Sequence, residues 1–122
     1  MGETNLIFSY TRKEAIEDGM QSLLTGADAD MARSIYKYPV YFTCGVSGLI
    51  DRAVKNNKPL DYLGIVWDIL WMSVKNSKVT GDSSRSFEVK VNGKWRTIWV
   101  ECGAKDIDDP EPVLTFMLPE EN

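Results

Sequence analysis

This chain contains no histidine. Acid–base chemistry would therefore fall to carboxylates such as Asp51, Asp61 and Asp68, or to tyrosine and lysine. Two carboxylates in unlike environments suffice for glycoside hydrolysis, so a carboxylate-based hydrolase is one reading of these residues. Ser-His-Asp and Cys-His nucleophiles, imidazole-based zinc sites and the usual pH switch are excluded. No nucleophile elbow, Walker A loop or G-x-G-x-x-G stretch is present. Cys44-Gly45 and Ser47-Gly48 place small residues at the start of a helical segment, which suits either an anion or close helix packing. Cys44 and Cys102 form neither a C-x-x-C pair nor a disulfide framework. Each sits in apolar company and reads as a small buried hydrophobe. The chain is expected not to be an enzyme, and to hold neither a metal nor a cofactor.

Binding chemistry is better represented. Phe87, Val89 and Val91 alternate with Ser86, Glu88 and Lys90, and Asn92-Gly93 follows, a pair that tolerates the positive φ of a two-residue hairpin turn. With that turn, Val91 faces Lys94, Val89 faces Arg96 and Phe87 faces Ile98. Trp95 and Trp99 then share the opposite face with Lys90, a platform for an aromatic ligand or a protein hot spot. With a three-residue turn every face is exchanged and the indoles enter the core. The core placement is the expectation, because tryptophan is buried on average. Arg85, Lys90, Lys94 and Arg96 beside tryptophan would hold a phosphate and stack a base, so a nucleotide-signal binder is the alternative function.

Trp67 and Trp71 lie one helical turn apart, as a ligand wall or, by expectation, as core packing. Asp68 between them is a carboxylate in the most apolar segment, either a ligand anchor or part of a solvated face or ion pair. Asp106, Asp108, Asp109 and Glu111 cluster around Pro110, but an EF-hand loop has no match in their spacing. They read as a solvated acidic loop, or as a negative face that imitates phosphates for a basic partner.

The elements that must position these groups follow from caps and periodicity. Leu6-Ile7-Phe8 reads as a strand. Thr11 and Glu14 fit a capping box for a short helix that Gly19 stops. A second helix starts near Asp28 or Asp30 and ends by Tyr38, which precedes Pro39. Val40 to Thr43 is β-prone, and Val46, Leu49, Ile50 and Val54 then fall on one helical face. Asn56 to Pro59 is a loop, and Asp61 caps a helix over Tyr62 to Val74. Its apolar residues occupy nearly every side, which predicts a central buried helix. Thr80 to Ser84 is a polar loop, Ala104 to Glu111 an acidic loop, and Pro112 to Leu118 a last strand. The expected fold is α+β, with N-terminal helices packed on a C-terminal antiparallel sheet of three to four strands, in one domain over 1–122.

Charge is unevenly spread along the 122 residues. The net −4 is composed of −4 over 1–30, +6 over 31–100 and −6 over 101–122. A negative total argues against direct nucleic-acid binding, whereas a basic middle between acidic ends suits an anion or an acidic partner. No signal peptide and no long apolar run are present, so a cytoplasmic protein without a membrane span is expected.

Four stretches occur in order: Ser9 to Gly19 (SYTRKEAIEDG), Tyr38-Pro39-Val40, Trp67 to Met72 (WDILWM) and Glu111 to Glu120 (EPVLTFMLPE). Together they resemble a domain-of-unknown-function family of small proteins carried by phages, plasmids and other mobile elements, over residues 8–120. Members commonly follow the first glycine with a segment such as V-L-V-D-V, where this chain has Met20 to Thr25. The resemblance carries no activity. It implies a genomic context in which small acidic proteins often block host defence complexes. The expected function is accordingly stoichiometric binding that inhibits or modulates a host protein or nucleoprotein such as a CRISPR effector. Trp95, Trp99, Lys90, Asp106, Asp108, Asp109 and Glu111 would meet that partner. Arg85, Lys94, Arg96 and Asp68 would serve the small-ligand alternative.

Overall fold

A computed structural model describes residues 11–57 and 60–121. The expected strand at Leu6–Phe8 and the end of the expected loop at Lys58-Pro59 lie outside them. Thr11 opens helix α1 (Arg12–Glu17) with a complete capping box: its hydroxyl accepts from the Glu14 amide while its own amide donates to the Glu14 carboxylate. Gly19, at φ +77°, takes the left-handed conformation that ends the turn. Strand β1 (Gln21–Leu23) follows, then helix α2 (Gly26–Arg33) and strand β2 (Val40–Thr43). Thr43 closes β2 and caps helix α3 (Cys44–Asn56), its hydroxyl accepting from the Val46 amide. Asp61 caps helix α4 (Tyr62–Lys75) through the Leu63 amide. Strands β3 (Lys78–Val79), β4 (Ser84–Val91), β5 (Lys94–Asp106) and β6 (Asp109–Met117) complete the order, with a short 3-10 turn at Pro119–Glu121.

The six strands form one sheet in the order β1-β2-β6-β5-β4-β3. Every pairing is antiparallel except β2 with β6, which run parallel with Phe42 opposite Phe116. The expected C-terminal sheet of three to four strands is therefore corrected. Strands also come from the N-terminal half, and helices are interspersed among them. The long connection from β2 to β6, which begins with α3 and α4, supplies the crossover that a parallel pair needs.

Strand alternation divides the sheet into two faces. The inner face carries Phe42 of β2, Phe116 of β6, Ile98 and Val100 of β5, and Phe87, Val89 and Val91 of β4, all buried. Val46, Leu49 and Ile50 of α3, with Ile65, Val66, Ile69 and Leu70 of α4, belong to the same core. Phe116 sits at its centre, with ring centroids 5.4 Å from Phe42, 5.9 Å from Phe87 and 6.4 Å from Tyr36. On the outer face, α1 covers the β2 region, where Tyr41 is buried beneath the Arg12 guanidinium at 4.4 Å.

Three sequence expectations fail here. Helix α4 is not enclosed: Ile65, Val66, Ile69, Leu70 and Ser73 face the sheet, while Trp67, Trp71 and Val74 are exposed. A helix lying on one face of a sheet has a single covered side, whatever the composition of its other side. The stretch Ala104 to Glu111 is not a loop either. β5 runs to Asp106 and β6 starts at Asp109, so the acids flank a tight hairpin turn beside a register irregularity between Ala104 and Asp106. Cys44, expected buried, is exposed at the first position of α3, whereas Cys102 is half-buried on β5.

Candidate functional site

The most distinctive surface lies on the solvent side of α4. Trp67 and Trp71 stack one turn apart, with ring centroids 5.8 Å apart and an interplanar angle of 14°. They are 39% and 47% exposed, and Val74 extends the stripe at 53%. Burying an aromatic side chain is worth roughly 1.5–3 kcal/mol, and much of that gain is forgone here. Asp68 stands exposed beside the pair, its carboxyl pushed up from its ordinary value by partial desolvation. Near the start of the helix, the Tyr62 phenol is raised by burial against a hydrogen bond with Ser47, and it feels the charges of Asp51 and Asp28. The indole stripe thus has carboxylates towards its N-terminal end, and Lys75 follows at its C-terminal end.

The β4–β5 hairpin takes the two-residue turn, with Asn92 at φ +51° and Gly93 at φ +80°. Val91 pairs with Lys94, Lys90 with Trp95 and Ser86 with Trp99. The core placement of Trp95 and Trp99 is therefore overturned. Trp95 is 62% exposed on the outer face, with the Lys90 ammonium 5.9 Å from its ring centre. Trp99 is half-buried between Ser86 and Met117. The lysine–indole platform exists at Trp95, on the opposite face of the sheet from the α4 stripe.

The basic residues expected to act together are divided. Lys94 and Arg96 line a shallow groove with Arg52, Asn56 and Asn92 at the end of α3. Arg85 lines a separate cleft with Tyr36, Ser73 and Ser77. Asp68 lines neither, so the four residues do not form one nucleotide site.

The acidic hairpin is engaged within the fold. Asp106 accepts from the Ile107 amide at 2.8 Å, from Lys13 at 3.0 Å and from Arg12 at 3.2 Å. These amides, with the nearby guanidinium of Arg12, hold its carboxyl below the ordinary carboxylate range. The Arg12 side chain also donates to the Lys105 carbonyl and to Gln21. Asp106 is therefore the anchor of α1, a role that sequence reading missed because its partners lie more than ninety residues away. Asp109 accepts from the Glu111 amide and lies 4.0 Å from Lys105. Asp108 and Glu111 are exposed. At the start of α3, the small residues lie beside the protein's own groups, with Thr43 on Val46 and the Cys44 amide on the Met20 carbonyl. Among the described residues no group of three or more acidic or thiol side chains is placed to hold a metal, and no helix is long and apolar enough to cross a membrane.

A family model described as a family of unknown function, DUF6573, matches residues 1–122, and the chain belongs to that family. No curated protein and no solved structure matches it. The match bears out the expected domain-of-unknown-function family across the whole chain. Of phage or plasmid origin it says nothing.

Proposed function

We propose that this protein acts by stoichiometric binding, with the exposed face of α4 as its principal contact surface. The observation that carries the reading is the stacked, solvent-exposed pair Trp67–Trp71. Tryptophan is the residue type most enriched among binding hot spots, and a preassembled stack loses little side-chain entropy on docking. The partner that fits is a protein surface with an apolar pocket for the indoles and basic groups at its rim. Asp28, Asp51 and Asp61 lie towards one end of the stripe, and Asp68 lies within it.

In its narrower form, the protein is a mobile-element inhibitor of a host defence nucleoprotein such as a CRISPR effector. The acidic hairpin would then imitate phosphates with Asp108 and Glu111, since Asp106 is engaged by α1. The indole stripe supports the broader reading without the narrower one.

Affinity capture from a host lysate at low and high salt tests both, with three baits. They are the wild type, Trp67→Ala/Trp71→Ala and Asp108→Lys/Glu111→Lys. A partner held by the wild type and the acid-reversed bait, but lost from the indole variant, supports the α4 surface. Loss from the acid-reversed bait alone moves the contact to the hairpin. No partner at either salt, with a concentration-dependent dimer that the indole variant abolishes, makes the stripe a self-association surface and overturns the proposal.

A further inference from the structure

The sheet's inner face ends, beyond the core, in a cleft of about 400 Å³ between the C-terminal end of α4 and the loop before β4. That volume falls within the range of about 300–1,000 Å³ typical of small-molecule sites. Its walls include Val74, Val79, Val100 and Leu114, so most of a ligand's body would meet hydrocarbon. Arg85 stands at an inward register of β4, the face on which Phe87, Val89 and Val91 are buried. Among the described residues it makes no ion pair, and its contact with the Ser77 hydroxyl is long, at 3.4 Å. Arg85 is exposed, so its guanidinium is open to solvent where it lines the cleft and is free to meet an incoming anion.

The hydroxyls around it divide by availability. Ser73 donates to the Leu70 carbonyl at 2.6 Å and takes the Tyr36 hydroxyl at 2.7 Å, so that pair is spent in holding the Tyr36 ring in place. Ser77 accepts from Arg85 and keeps its own proton to donate. The loop above is pinned by two backbone bonds, Thr80 to the Ser84 carbonyl and Cys102 to the Ser83 carbonyl. At Gly81 a Cβ would lie 2.8 Å from the Ser84 hydroxyl, so a larger residue there would turn that hydroxyl aside.

We propose that this cleft binds a small amphiphilic monoanion: a carboxylate held by Arg85 and Ser77, on an apolar body that fills the space between Val74, Val79 and Leu114. The planar fork of a guanidinium matches a carboxylate in a bidentate pair. A phosphate dianion fits less well, since Arg85 is the sole basic residue of the lining and Asp82 contributes a carboxylate to it. This site meets the indole stripe only at Val74 and does not depend on the Trp67–Trp71 pair.

Sodium octanoate is a suitable probe, titrated below its micelle concentration into the full-length protein and followed by amide NMR. The expected result is saturable shifts at Ser77, Ser83, Arg85 and Cys102. Arg85→Gln should weaken binding at least tenfold, and 1-octanol and inorganic phosphate should bind at least tenfold more weakly than octanoate. Val79→Asp, at a side chain that is 71% exposed and so unimportant for folding, should weaken octanoate to a similar degree while leaving Arg85 in place. Unmoved cleft amides, an Arg85→Gln variant that binds as tightly as the wild type, or a preference for octanol or phosphate would each overturn the proposal.

Discussion

The acidic β5–β6 turn and the solvent side of α4 invert each other's expected roles. The turn is rich in charge, yet Asp106, its best-placed acid, accepts three backbone amides and is spent on tethering α1. The solvent side of α4 is rich in aromatic carbon, yet Trp67 and Trp71 are left outside the core. Charge exposed in a sequence is no guide to what is free for a partner, and apolar carbon is no guide to what is buried. What decides each case is whether the fold supplies a complementary group. The amides of α1 arrive at Asp106, whereas α4 turns only one side towards the sheet.

The contrast sharpens if core aromatics and stripe aromatics are removed in parallel. Phe116→Ala, at the centre of the ring cluster, should cost about 3–5 kcal/mol in chemical denaturation. Trp67→Ala and Trp71→Ala should each cost under about 1 kcal/mol of stability, since their rings already meet water. The same two changes should lower affinity for the captured partner by about 30-fold or more, measured by calorimetry. Equal stability losses at Phe116 and Trp71 would break the comparison by making the stripe part of the core.

At the turn, Asp106→Ala should raise hydrogen exchange across α1 and leave α3 unchanged. Its carboxyl is held below the ordinary value of about 3.9. The tether is therefore complete above that pH, and it is lost as pH falls through the lower value of the folded state. Protection of α1 followed from neutral to strongly acidic pH would check the direction. The smallest effect belongs to Asp68. Desolvation raises its carboxyl in the fold, so the ionised form is slightly disfavoured at neutral pH. That cost is relieved as pH falls through the raised value. Asp68→Asn should therefore stabilise slightly at pH 7, the effect being small because solvent screens this exposed site, and the gain should vanish in acid.

Local signals in the sequence were reliable where the chemistry itself was local. The Thr11–Glu14 capping box, the Asp61 cap, the apolar stripe of Val46, Leu49 and Ile50, and the Asn92-Gly93 turn all appear as read. Such features involve residues within four positions of one another, so the tertiary fold has little power to overrule them. The hairpin faces were a different matter. Two and three turn residues are both compatible with the same letters, and the choice between them reverses the exposure of Trp95.

Pairing across long separations was not legible. Nothing in Val40 to Thr43 announces a parallel partner at Leu114 to Phe116, and β1 and β3 are too short to carry a period. The candidate site suffered most from this. Arg85, Lys94 and Arg96 are neighbours in sequence and share the inner-facing register of one hairpin. Yet they lie at different ends of the sheet, Arg85 against α4 and Lys94 and Arg96 against α3.

What the sequence determined by itself is the exclusion of histidine chemistry, the helix starts, the hairpin and the apolar content available for a core. Each depends on residue type or short-range geometry. The tertiary structure alone decided which apolar residues would be used, because a helix on a sheet has one covered side. It also decided which charges would be engaged, because two of the three amides that hold Asp106 come from the other end of the chain.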